Sequence, residues 1–187
     1  MISAPRPLAR TIASAALLAA AVLVVGRIAL GWLPMVLFAF GFVGGLILWL
    51  LFPTSVSFPT IRAPYCAALA LFVVHKWEER QFDFFPALAT LTGVPPPDSG
   101  SPVALLLYAL AATWLFIPLL VSRGHPFGYY LAWTFFTSMG VTELAHFVFP
   151  LFAEGSYGYF PGMGSVIALA PSGWWGMRRL NARAVRG

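Results

Sequence analysis

The chain has 187 residues, 60% of them hydrophobic and only 9% charged, whereas a soluble domain carries about a quarter of its residues as charges. That excludes an ordinary soluble domain and leaves an integral membrane protein. A formal net charge of +5 arises from 11 Lys plus Arg against 6 Asp plus Glu, but the basic residues gather at the chain ends and in short loops, which signals topology and not nucleic-acid binding.

Residues 1–30, MISAPRPLARTIASAALLAAAVLVVGRIAL, have the basic start and apolar centre of a signal peptide. A second apolar run follows almost at once, so the first is expected to remain as an uncleaved helix. Apolar runs of about 20 residues place spanning helices at 9–27, 33–52, 63–82, 102–121, 127–149 and 161–178. Between the first two, only Gly26, Arg27, Gly31 and Pro34 act as breakers. The later boundaries are clearer: FPTSVSFPTIRAP, LTGVPPPDSGSP, SRGHPFG and AEGSYGYFPG separate the remaining runs. GFVGG, residues 41–45, reads as a site of close helix packing. No internal repeat or low-complexity tail is visible. The expected fold is therefore all-α: a polytopic transmembrane helical bundle of about six spanning helices, forming a single transmembrane domain over 1–187.

Six spans put both termini on one side, together with Arg6, Arg10, Arg62, Arg123, Arg178, Arg179, Arg183 and Arg186. The positive-inside rule assigns that side to the cytoplasm, as expected for a multi-pass protein of the bacterial inner membrane. Asp83, Asp98 and Glu154 fall on the outer side, with Arg27 as the exception. His125 lies in a cytoplasmic loop.

The same topology collects ionisable residues near the outer face. In VVHKWEERQFDFF, His75, Glu78 and Glu79 share one side of a helix, one above another. In TELAHFVF, Glu143 and His146 are three apart and also share a face. Burying such groups costs several kcal/mol each unless they pair, bind a metal or face water. Lys76 and Arg80 have a plainer reading as interfacial residues at a helix end. Cys66 is the only cysteine, so no disulfide, CxxC chemistry or Cys-rich zinc site is available, and a metal would need His and carboxylate ligands.

The motifs His75-Lys-Trp-Glu78-Glu79, a later His146 in ELAHFVFP, and Tyr159-Phe-Pro161-Gly162 occur in the order that marks the HXXEE family, which the chain resembles over about residues 65–178. That family comprises small multi-helix membrane proteins of unknown function. The first two helices lie outside the resemblance or only weakly inside it. It implies that His75, Glu78, Glu79, His146, Tyr159, Pro161 and Gly162 belong to one site, and it supplies no reaction. Beside it stands a physical reading of YFPG: Pro161 suits a first helical turn, Gly162 permits close backbone approach, and Tyr157 and Tyr159 suit an aromatic belt.

Three functions from different classes compete. In a metal-dependent membrane enzyme of hydrolase or oxidoreductase type, His75, Glu79 and His146 would ligate a divalent metal, Zn or Fe, while Glu78 or Glu143 acts as base or bridging ligand and Tyr159 assists. A carboxylate-bridged di-iron centre would want about four carboxylates, and only three intramembrane glutamates are present. A metal-free isomerase or glutamate-activated hydrolase could use the same groups as acid and base. A cation-binding carrier would need polar groups along a path, which the sequence does not show. Two histidines among carboxylates favour metal. The expected partners are the lipid bilayer and an apolar or lipid-like substrate arriving from it, with no nucleic acid; nothing in the sequence sets the oligomeric state.

Overall fold

The structure, a computed structural model, describes residues 9–98, 100–153 and 155–182. The described residues are helical wherever they are regular. The helices are α1 (Ala9–Leu30), α2 (Trp32–Leu51), α3 (Phe58–Gln81), α4 (Phe84–Thr92), α5 (Pro102–Ala112), α6 (Ile117–Ser122), α7 (Pro126–Gly140) and α8 (Met163–Leu180). Four stretches are long and apolar enough to cross a membrane: α1, α2, α3 and the continuous run Pro102–Ser122. That is the make-up of a membrane protein.

Gly31, at φ 94°, alone separates α1 from α2. The third helix begins earlier than expected, at Phe58, because Pro59 occupies a first-turn position where its missing N–H is no loss. In the run Pro102–Ser122, Pro118 cannot donate to the preceding turn, and the chain tightens into a 3₁₀ stretch at Thr113–Phe116. The short α4 was not anticipated from the sequence. It follows α3 directly through Asp83 in the left-handed conformation and carries Phe84 into the bundle.

The central element is α7. Nearly every one of its side chains is buried, and it packs on α1, α2, α6 and α8. Among lipid tails apolar burial alone does not drive helix association, so close packing must. Two crossings show it. A Cβ on Gly45 would lie 2.7 Å from the Thr134 Cα, and one on Gly173 would lie 2.8 Å from the Gly140 Cα, so α2 and α8 approach α7 backbone to backbone. The GFVGG reading is thus borne out. Rings fill the remaining space: Trp114 stacks on Phe42 at 5.6 Å and meets Phe135 edge-on at 5.4 Å.

The fifth apolar run, expected as one helix over 127–149, does not stay α-helical. It ends at Gly140, and the chain continues as 3₁₀ turns at Thr142–Phe147 and Phe149–Leu151. The indole of Trp174 donates to the Gly140 carbonyl at 2.6 Å, taking up a carbonyl at the end of α7. This tightening sets the position of Glu143 and His146.

Candidate metal centre

Three elements meet at one end of the bundle: the C-terminal part of α3, the 3₁₀ turn after α7, and the start of α8. α3 contributes His75 and Glu79, one helical turn apart. The 3₁₀ turn contributes Glu143 and His146, which eclipse one another because that helix repeats every three residues. One ligand-type atom from each of these four residues lies within 4.8 Å of the other three. His75 Nε2 is 3.1 Å from Glu79 Oε1 and 3.2 Å from Glu143 Oε2. His146 Nε2 is 3.4 Å from each of the same two oxygens. Neighbouring ligands of a tetrahedral ion with bonds of about 2.0–2.1 Å are about 3.3 Å apart; the four nitrogen–oxygen separations are of that size, and all six separations lie within 4.8 Å.

The other ring nitrogens decide what Nε2 can do. His146 Nδ1 lies 2.5 Å from the Pro161 carbonyl, which can only accept, so Nδ1 carries a proton. Ser165 Oγ donates to the Gly162 carbonyl at 3.2 Å and therefore accepts from His75 Nδ1 at 2.8 Å. Both imidazoles thus donate through Nδ1 and, when neutral, direct an Nε2 lone pair at two carboxylate oxygens. His75 Nε2 is fully buried and meets no partner with hydrogen-bond geometry, despite the two oxygens beside it. In that neutral state four lone-pair donors face one another and repel, which either a cation between them or a second proton on one imidazole relieves.

The surroundings keep the group dry and partly neutralised. The His75 and His146 rings stand perpendicular at 4.7 Å, and Phe84, Phe149 and Phe160 pack around His146. Lys76, which is exposed, donates to both oxygens of Glu79 at 2.9 and 2.7 Å. Two carboxylates against one ammonium leave the site one negative charge in excess, which suits a divalent ion. Glu143 is the least enclosed of the four residues.

Gly162, at φ 97°, is required twice over. The left-handed backbone disfavours a side chain, and a Cβ would fall 2.5 Å from His146 Nδ1 and 2.8 Å from His75 Cε1. The turn before α8 is therefore a backbone cradle for both imidazoles.

The remaining sequence candidates lie close by but point elsewhere. The Glu78 carboxylate accepts from the Tyr159 hydroxyl, from Gly164 N at 2.9 Å and from Ser165 N at 2.7 Å. It thereby joins α3 to the N-terminus of α8, where backbone N–H groups favour an anion, and it is not one of the four converging donors. His125 sits at the far end of α7, where its Nδ1 accepts from Phe127 N at 3.2 Å, as expected of a residue outside the site. Tyr157 donates to the Phe147 carbonyl at 3.0 Å. Sequence reasoning missed Ser165; a hydroxyl three residues after Gly162, one turn into a helix, was the available signal. Glu154, Ser99, Arg6, Arg183 and Arg186 lie outside the described residues. No family model matches the chain, and no curated protein or solved structure is significantly similar to it.

Proposed function

We propose that the chain is a metal-dependent enzyme of the bacterial inner membrane that binds one divalent ion, Zn or Fe, through His75, Glu79, Glu143 and His146 and acts on an apolar or lipid-like substrate. The convergence of four lone-pair donors, with both Nδ1 positions already committed to Ser165 and Pro161, carries this reading. A bound ion would serve as a Lewis acid or, for iron, as a redox centre. Four protein donors close a tetrahedral ion, so reactivity needs a fifth or sixth position, which iron accepts readily, or release of the least enclosed donor, Glu143. Two carboxylates at the centre support one ion over a di-iron pair. Glu78, held by three donors, fits a positioning role better than that of a free base, and Tyr159 remains the acidic group closest to the open side.

The proposed topology has six spans with both termini cytoplasmic, the fifth being α7 extended by its 3₁₀ turns. Support comes from Arg10, Arg62, Arg123, Arg178 and Arg179, which sit at helix ends that share one side in an alternating bundle. The metal centre then faces the outer leaflet. The HKWEE, His146 and YFPG motifs support placement among HXXEE proteins.

A second reading, metal-free acid–base catalysis, is favoured by the direct bond between Tyr159 and Glu78. There one imidazole would carry a second proton between Glu79 and Glu143. Elemental analysis of the full chain purified in detergent without chelator separates the two. About one ion per chain is expected. A metal-free protein whose activity persists in chelator would overturn the metal reading in favour of the second.

A further inference from the structure

Beside the metal centre, the outer ends of α3 and α8 leave an open groove of about 550 Å³, within the range of small-molecule sites. Its walls are Val74 and Trp77 on α3, Phe82 just beyond it, and Tyr159. All four are exposed, and the rings of Phe82 and Tyr159 meet edge-on at 5.5 Å. Val74, Trp77 and Glu78 recur at i, i+3 and i+4, so one face of α3 supplies both an apolar wall and a carboxylate at its foot. Gly164 keeps the floor open: a Cβ there would lie 2.9 Å from Glu78 Oε1. Ser165 borders the groove and also touches His75 Nδ1, so the groove abuts the metal centre without containing it.

An apolar lipid-facing wall needs no explanation in a bilayer. The exposed Tyr159 phenol at its foot does, because polar groups facing hydrocarbon are costly. The Glu78 oxygens are already taken by Tyr159, Gly164 and Ser165. With its hydrogen on Glu78, Tyr159 has only its oxygen lone pairs left to offer, and they can accept a hydrogen bond. No Lys or Arg lines the groove, and the Glu78 charge would repel an anionic headgroup.

We propose that this groove binds an uncharged single-chain amphiphile, its aliphatic chain along Val74, Trp77 and Phe82 and its hydroxyl donating to the Tyr159 oxygen. The inference rests on the membrane reading above and names the lipid class held beside the metal centre. A chain with one hydroxyl headgroup satisfies both parts of the groove at once. A phosphate or carboxylate headgroup satisfies neither the charge nor the lone pair.

The test uses the full chain in nanodiscs with two photoactivatable probes of equal chain length, a diazirine monoacylglycerol and a diazirine fatty acid at pH 8, with adducts mapped by mass spectrometry. The neutral probe is expected to label Val74, Trp77 and Phe82 at least about five-fold above the exposed apolar residues Leu17, Ile28 and Ile167. The fatty acid should show no such preference. Val74→Trp should abolish the enrichment by filling the groove, and Tyr159→Phe, which keeps the ring, should reduce it several-fold by removing the acceptor. Uniform labelling of all six positions by the neutral probe, equal enrichment of the fatty acid, or indifference to Tyr159→Phe would each overturn the proposal. Metal content is measured on the same samples. Loss of the groove result with metal retained refutes the amphiphile alone, while enrichment in a metal-free protein refutes the metal centre alone.

Discussion

The middle of the bundle and the end that holds the candidate metal centre both bury polar side chains, but they satisfy them in different ways. In the middle, hydroxyls fold back on their own helices: Thr134 donates to the Leu131 carbonyl at 2.9 Å and Ser172 to the Leu169 carbonyl at 2.6 Å. The indole of Trp114 completes the set by donating to Thr134 at 3.1 Å. Each of these three donors has an acceptor, whereas Tyr130, one turn away on α7, buries its hydroxyl without one. At the other end two imidazoles and two carboxylates converge, and when both imidazoles are neutral their Nε2 atoms and the carboxylate oxygens face one another as acceptors only. Satisfied polar groups within a bundle fix packing, whereas unsatisfied ones of a single kind mark the place of a missing partner.

Removing a ligand should break this contrast most sharply. His75→Ala and His146→Ala are each expected to lower bound metal from about one ion per chain to near zero by elemental analysis, since each deletes one of four donors. Retention of metal by both variants at the wild-type level would refute the ligand assignment.

Acid should act next. A protonated imidazole cannot ligate, so metal affinity should fall as the pH falls, by about ten-fold to a hundred-fold per pH unit once the two imidazoles protonate. Competition with a chromophoric chelator between pH 8 and 5 reads the slope. A flat profile would show that the histidines are not ligands.

Gly162→Ala tests the cradle. The new Cβ would press on both imidazoles from a backbone that resists a side chain, and metal affinity should fall about 10–100-fold, as when groups that orient ligands are disturbed. The same competition assay checks it, with Gly158→Ala, which meets only a backbone oxygen at 3.8 Å, as the tolerant control.

Glu78→Gln should leave metal content near one ion while lowering stability by about 1–2 kcal/mol, since it removes the charge from charge-assisted bonds to the start of α8. Thermal melting in detergent measures it. The smallest effects belong to residues away from the metal centre, Ser172 in the middle of the bundle and His125 at the far end of α7. Ser172→Ala and His125→Ala should each cost about 1 kcal/mol or less and change metal content not at all. A strong loss of metal in His125→Ala would mean that the two ends of α7 are not as far apart as its fifteen residues, about 22 Å of helix, make them.

Much of this end was legible beforehand. Spacing within HKWEE puts His75 and Glu79 on one helical face whatever they meet, and Glu143 with His146 share a face in an α-helix or a 3₁₀ turn alike. The depth at which the two pairs occur follows from counting apolar runs. Sequence reasoning already sets Glu79 with the histidines and Glu78 apart, but the partners of Glu78 and the place of Glu143 among the four donors were not legible. Glu78 and Glu79 are adjacent and chemically identical, yet one caps α8 and the other faces the histidines, because about 100° of helical rotation separates them. Lys76 and Glu79 are three apart on one helix, so their ion pair was within reach of local spacing, and the exposed Lys76 makes it. The break at Gly140 was hidden because its cause, the indole of Trp174, is 34 residues away.

Composition and periodicity by themselves determined that the chain belongs in a membrane, that it is helical, and that its ionisable residues gather toward one end, because these depend on transfer energies and on spacing within single helices. Tertiary structure decided which carboxylates face the imidazoles, which ring nitrogens carry protons, and that Ser165 and the Pro161 carbonyl set them. Those outcomes depend on how helices cross and rotate against one another, and a hydrogen bond is made or lost within a fraction of an ångström that no local pattern encodes.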